Sequence, residues 1–314
     1  MGRLAAGCLV GLLLLAGCGP AGPGTAGGVT GAFYSAEAAP APAPAGGMDL
    51  PPNPGAYQQV FSLGGTYDAV FRAPGFLLYG YFFSGGEDWQ GGLGYRRYSK
   101  ELGETGWPRL DAFLEKAACS GLRAGYADLG GNSIVNLDAG WGIPIGENTV
   151  LDIALDGLWL EGTPDSYNAS GRAGFTLYLA DTLRLAGGYR YSRIMDGGST
   201  GYQFWDVGVD WLLGASGIVL GASYQREDIN GSAAGSNMVA LSFDWYMKKA
   251  VALGFESRFI RDTGGGLFVG DANLFRVGLG LQLGNSVLHF GWEHLVVVGG
   301  STAEGYSLVI EMPY

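Results

Sequence analysis

From about Asn132 to the end of the chain, apolar and polar residues trade places at every second position. In 132–143, Val135, Leu137, Ala139 and Trp141 share one parity, and Asn136, Asp138 and Gly140 take the other. In 149–160, Leu151, Ile153, Leu155 and Trp159 alternate with Asp152, Ala154 and Asp156. In 272–283, Phe275, Val277, Leu279 and Leu281 alternate with Arg276, Gly278, Gly280 and Gln282. A period of two marks strands with one apolar and one polar face. The pattern predicts eleven strands: 132–143, 149–160, 167–179, 183–194, 202–213, 217–226, 237–246, 250–261, 272–283, 287–296 and 306–314. Most run 10 to 13 residues. Soluble strands average about five or six, whereas a tilted strand that crosses a bilayer needs about 9–11.

The connections give a second reading. Short turns are expected at 144–148, 180–182, 214–216, 247–249 and 284–286, and longer loops at 161–166, 195–201, 227–236, 262–271 and 297–305. Transmembrane barrels alternate in this way, with short periplasmic turns and long outer loops. Trp141, Trp159, Trp205, Trp211, Trp245 and Trp292 fall on the apolar parity, most of them close to a strand end. An amphipathic ring prefers the lipid–water boundary, and this builds aromatic girdles.

Upstream, 61–72, 76–84 and 89–98 read as three further strands, with a turn at Ala73-Pro74-Gly75. Three and eleven make fourteen, an even number that returns both ends of the barrel to the same side. Twelve is the alternative, with part of 57–98 serving as a plug or hatch. Residues 108–118 read as a short helix that starts at Pro108 and places Leu110, Phe113, Leu114 and Ala117 on one face. In the fourteen-strand register it falls in a long outer loop. There it either folds into the lumen and constricts it or packs on the rim.

Composition fits this picture. Charged residues make only 15% of the chain, glycine supplies 58 of 314 positions, and the net charge is -11. Outward faces that meet lipid account for the scarce charge. The acidic balance argues against a nucleic-acid partner. No apolar run after the N-terminus approaches the ~18 residues of a membrane-spanning helix. The chain is therefore expected to be all-β, an antiparallel transmembrane β-barrel over 57–314. It resembles the Gram-negative outer-membrane β-barrels, porin-like in general character. The resemblance reaches the last strand, where Tyr306, Leu308, Ile310, Met312 and Tyr314 look like the signal read by the barrel-assembly machinery. It implies outer-membrane lipid as surroundings and that machinery as a partner.

The first residues read as an address. Arg3 followed by the apolar stretch 9–16 forms a secretory signal over 1–17. Leu15-Ala16-Gly17-Cys18 resembles a bacterial lipobox, which implies cleavage before Cys18 and lipid on its sulfur. Residues 18–56 are an Ala-, Gly- and Pro-rich linker, too poor in bulky apolar groups to build a core. Of the three cysteines, Cys8 lies inside the signal, so Cys119 would be the lone free thiol.

The polar parity supplies the candidate chemistry. Asp138, Asp152, Asp156, Arg172, Arg184, Arg190, Asp206, Asp210, Asp244, Glu256, Arg258, Arg276, His289 and Glu293 are expected to line the lumen, with Glu311 beyond them. Mixed charge on an inner wall fits a water-filled pore for small solutes, leaning toward cations through its acidic excess. Inward glycines such as Gly188, Gly208, Gly254, Gly278, Gly280 and Gly291 would leave room for water. A plugged barrel that carries hydrophobic or lipid molecules is the alternative. A structural or adhesive barrel is the third reading, but its loops hold small polar residues with Phe268 as the main exception. Two histidines, without a Ser-His-Asn or paired-Asp hydrolase pattern, point away from an enzyme. No Cys/His spacing suits a metal, and no Gly-rich loop suits a phosphate cofactor.

Overall fold

In a computed structural model, residues 56–72, 81–103, 105–129, 132–161, 166–195, 200–213, 217–231, 235–247, 250–263, 271–297 and 302–314 are described. The signal segment 1–17, Cys18 and the linker up to 55 lie outside them. Among the described residues, fourteen strands close into one antiparallel barrel. They are β1 (Tyr57–Arg72), β2 (Tyr81–Leu102), β3 (Cys119–Leu129), β4 (Asn132–Pro144), β5 (Thr149–Leu160), β6 (Ser166–Ala180), β7 (Leu183–Met195), β8 (Thr200–Leu212), β9 (Ile218–Ile229), β10 (Gly235–Met247), β11 (Val251–Asp262), β12 (Ala272–Leu283), β13 (Ser286–Val297) and β14 (Thr302–Pro313). Helix α1 (Pro108–Leu114) joins β2 to β3.

The barrel closes where β1 pairs with β14, in a register that sets Val60 opposite Pro313 and Ser62 opposite Glu311. Tyr314 N donates to Gln59 O at 3.0 Å, and the Tyr314 and Phe61 rings stack with centroids 5.0 Å apart. Closure leaves no unpaired sheet edge, the condition for a sheet to survive in lipid.

Alternation does the sorting. Leu63 is 54% exposed and Trp205 52%, and Leu155, Phe175, Phe255 and Val277 share that outward face. Their neighbours of opposite parity point inward and are buried or half-buried. An apolar belt of this extent has no counterpart on soluble monomers and is a lipid-facing surface.

Two expectations need correction. Residues 81–84 and 89–98, drawn in two strands, belong to one, β2, which continues through 85–88, while the turn expected at 73–75 and the strand start at 76–80 lie outside the described residues. A strand is also present where none was expected, at Cys119–Leu129. The two changes cancel in the count and reverse the orientation. The helix now follows the second strand, so it lies at the end that carries the start of β1 and the finish of β14, here called the lower end. It is not in an upper loop. The length alternation is also weaker than expected. β9 runs on to Ile229 and β10 begins at Gly235, which absorbs half of the loop expected at 227–236.

Candidate functional site

The connection from β2 to β3 turns into the lower mouth of the barrel. Gly106 takes a left-handed φ of 76° just before Trp107 and the Pro108 start of α1. No side chain caps the helix start. Asp111, fully buried, reaches back instead. Its carboxylate accepts from Thr105 N at 2.7 Å, from Gly106 N at 3.1 Å and from the Tyr57 hydroxyl of β1 at 2.8 Å. Burial pushes the Asp111 carboxyl above its ordinary range, and the three donors oppose that only in part. Arg109 next to it is pulled by burial down to about 10 and stays a cation at neutral pH.

The segment touches strands around the whole circumference. Trp107 and Leu110 pack with Leu212 of β8, Val219 of β9, Ala252 of β11 and Val287 of β13. The Trp107 ring meets Tyr246 of β10 edge-on at 5.6 Å. It also fills the space over Gly280 of β12, where an added Cβ would lie 2.8 Å from the ring. Phe113 packs with Val150 of β5 and Tyr178 of β6, with the Arg184 guanidinium of β7 over its ring at 5.4 Å. Ala117 packs with Tyr57, Val60, Tyr98 and Leu102 of β1 and β2. Lys116 ties the end of the segment to the rim, at 2.8 Å from Asn148 Oδ1 and 2.9 Å from Asp181. The expected apolar face Leu110, Phe113, Leu114 and Ala117 is therefore a plug surface seated on the inner wall.

Around and above the plug lies a charged layer. The ladders set Asp138, Asp152, Asp156, Arg172, Arg184, Arg190, Asp206, Asp210, Asp244, Glu256, Arg258, Arg276, His289 and Glu293 on the parity opposite the exposed apolar residues. They meet as pairs. Arg172 binds Asp206 at 2.8 Å, and Arg184 holds one oxygen of Asp210 through two nitrogens at 2.9 and 3.2 Å. Arg190 lies 3.8 Å from Asp156, which also accepts from Ser170. Thr176 donates to Asp152 at 3.0 Å. On the far wall Glu256 bridges Arg258 at 2.5 Å and Arg276 at 2.9 Å, and Arg276, 0% exposed, reaches Glu293 at 3.4 Å. Glu311, 2% exposed, joins Arg96 and lies 3.2 Å from His289. Asp138 faces Arg123 across β3 and β4.

Three inward arginines were missed by the sequence reading: Arg96, Arg109 and Arg123. Their absence from it overstated the acidic excess. Arg123 was findable, because Leu122, Ala124 and Tyr126 alternate with Gly121, Arg123 and Gly125. Glu227, buried and accepting from Ser236 at 2.8 Å, had been read as loop. The inward glycines also differ from expectation. The Arg172 guanidinium lies over Gly188, and Trp107 lies over Gly280. These glycines seat large side chains and do not open space. Toward the upper end, Tyr202, Phe204, Met238, Ile260, Ala272, Leu274 and Leu295 form an apolar cluster inside the wall of β8–β13. Among the described residues, no His, Cys, Asp and Glu side chains group as a metal site.

No known protein family matches the sequence, and no curated protein matches it. Solved structures do. The CymD monoaromatic hydrocarbon channel is 10% identical with a TM-score of 0.54, over 82% of this chain and 89% of that one. A FadL homologue from Pseudomonas aeruginosa is 9% identical with a TM-score of 0.51, over 81% and 90%. A bacterial polysaccharide outer membrane secretin is 8% identical with a TM-score of 0.51, over 82% and 99%. The chain is a barrel of the outer-membrane type. At these identities the likeness is one of fold.

Proposed function

We propose that this protein is an outer-membrane channel for small solutes, closed at its periplasmic end by its own β2–β3 connection. The observation that carries the reading is the seat of 105–118 inside the lower mouth, in contact with inward residues from β1 through β13. Two features support a plug that can move. It enters through Gly103 and Gly106, both at positive φ, and it leaves through Lys116, the one described non-glycine residue at positive φ. From Trp107 to Ala117 its contacts with the far wall are side-chain contacts, which can part without breaking the barrel's ladders, while Ala118 O stays bonded to Ser99 N of β2 at 2.9 Å. The C-terminal strand finishing at the lower end supports placing that end in the periplasm, and Arg96, Arg109 and Arg123 temper any preference for cations.

Single-channel recording in planar bilayers tests the reading. The full chain gives a low resting conductance, and a variant with 105–117 replaced by a short Gly-Ser turn conducts steadily. Unchanged current in the shortened variant, with the barrel still intact by gel mobility before and after heating, overturns it.

A second reading has its own observation, the upper apolar cluster around Phe204 and Leu274. A lumen whose outer half presents aliphatic and aromatic groups suits small apolar solutes, and one protein of the same fold is described as a monoaromatic hydrocarbon channel. Liposome uptake of an uncharged aromatic set against an alkali cation separates the two solute classes.

A further inference from the structure

The inner wall is not the same all the way round. One lateral row of the ladders runs Val309, Gly64, Gly92, Gly125, Asn136 across β14, β1, β2, β3 and β4. Three adjacent strands thus present no inward side chain at one height. Across the lumen, the row on β6 to β10 runs Arg172, Arg190, Phe204, Glu227, Ser236. The first four of these are large, and all five are buried.

Two described side chains beside the glycine row lie flat. A Cβ on Gly125 would meet Asn136 Oδ1 at 2.3 Å, and one on Gly94 would meet Ser62 Oγ at 2.6 Å. Asn136 and Ser62 therefore lie along the wall over these glycines and do not reach across the lumen. The glycines of the opposite side behave differently. Gly188 is covered by the long Arg172 side chain, whose Nη2 lies 2.7 Å from where a Cβ would be. Solvent reach differs in part between the two walls, although Val60, Gly94, Gly121, Ile134 and Gly140 on the first wall are buried. Ser62, Gly64, Gly92, Arg123, Gly125, Asn136 and Asp138 are all half-buried, while Asn168, Ser170, Arg172, Thr176, Arg190 and Ser192 on β6 and β7 are buried.

We infer that the solute path runs along the β1–β4 wall, with Gly64, Gly92 and Gly125 setting its width and Arg123 and Asp138 facing it as its polar contacts. The opposite wall is the packed, load-carrying side of the lumen. This inference rests on the channel reading and locates the path within it. Arg123 and Asp138 face each other in the ladder with Asp138 Oδ2 itself buried, so a guanidinium and the other carboxylate oxygen form the polar contact, which suits a small polar or zwitterionic solute more than a simple ion.

Cysteine labelling tests it in the full chain, in a Cys119→Ser background reconstituted in liposomes, with a small charged methanethiosulfonate. Gly64→Cys and Gly92→Cys are expected to react about ten-fold faster than Ala186→Cys and Ala240→Cys on the opposite wall, because thiol reactivity follows access. Where a cysteine at a glycine position impairs folding, Ser62→Cys and Asn136→Cys report on the same wall. Equal rates on the two walls, or faster reaction at 186 and 240, overturn the inference. The plug reading stands or falls separately, on the conductance of the shortened variant. In that variant, labelling at 64 or 92 should cut the current to about half or less, because the lumen wall sets the pore radius. Labelling at 186 or 240 should leave it unchanged.

Discussion

The Tyr57 hydroxyl donates to the buried Asp111 carboxylate at 2.8 Å, and so ties the first strand of the barrel to the helix in its mouth. The bond joins residues 54 positions apart, and the plug depends on it more than on any local cap. A hydrogen bond to a charged group contributes about 1.5–3 kcal/mol. Tyr57→Phe keeps the ring packed beside Val60 and Tyr98 and removes only the donor. Open probability in planar bilayers should rise by about ten-fold or more, since ~1.4 kcal/mol is a factor of ten in an equilibrium. Open probability equal to that of the parent would show that the bond does not hold the plug.

Acid should tighten the plug. Burial raises the docked Asp111 carboxyl above its ordinary value of 3.8. Once the segment leaves the mouth, that carboxyl returns to the ordinary range. The docked state therefore binds more protons, and the stabilisation is fully present below the ordinary value. It is lost as pH rises from there through the raised docked value. Open probability should climb across that interval and level off above it. Asp111→Asn should flatten the profile, and a slope kept in that variant would assign the pH response to other carboxylates.

The charged layer should matter to stability more than to gating. Arg276 is fully buried between Glu256 and Glu293. Arg276→Leu leaves two carboxylates without their shared cation, and breaking a buried pair costs about 3–5 kcal/mol. The barrel should unfold at a clearly lower urea concentration in lipid vesicles. Glu256 keeps Arg258 as a partner, so adding Glu293→Gln alone to Arg276→Leu should recover part of the loss. Failure of the double variant to recover any of it would place the role of Arg276 elsewhere.

Much of this molecule was legible as a pattern. The period of two in β4–β14 marks which residue faces inward, and the ladders keep every candidate lumen charge on one parity. β1 was also expected, and with it the closure onto β14. The reading failed where glycine removed the signal. The strand reading stopped at 84 and resumed at 89 across Gly85-Gly86 inside β2, and in β3 the alternation is present but weakened by Gly121 and Gly125 on the inward parity. Both errors fall in the two strands that flank the plug in the chain, so the sequence placed the helix at the wrong end. The glycine wall shows the same limit. A glycine in the sequence does not say what lies over it: Asn136 at Gly125, the Arg172 guanidinium at Gly188 and Trp107 at Gly280. Only the pairing of strands across the barrel decides that.

Gly280 offers the sharpest test of the seated plug. It is a strand residue with an ordinary partner, His289, on β13, so nothing in its own strand requires glycine. What requires it is Trp107, whose ring would lie 2.8 Å from an added Cβ. Overpacking of this kind costs about 1–3 kcal/mol. Gly280→Ala should therefore expel the indole and raise the resting conductance, with the barrel's heat stability on gels unchanged. Trp107→Leu, which leaves a smaller side chain over the same spot, should lower the cost of that alanine. In the double variant the alanine should add little to the conductance of Trp107→Leu alone, because the two residues share one contact. Full additivity would mean that Gly280 acts through its strand and not through the plug.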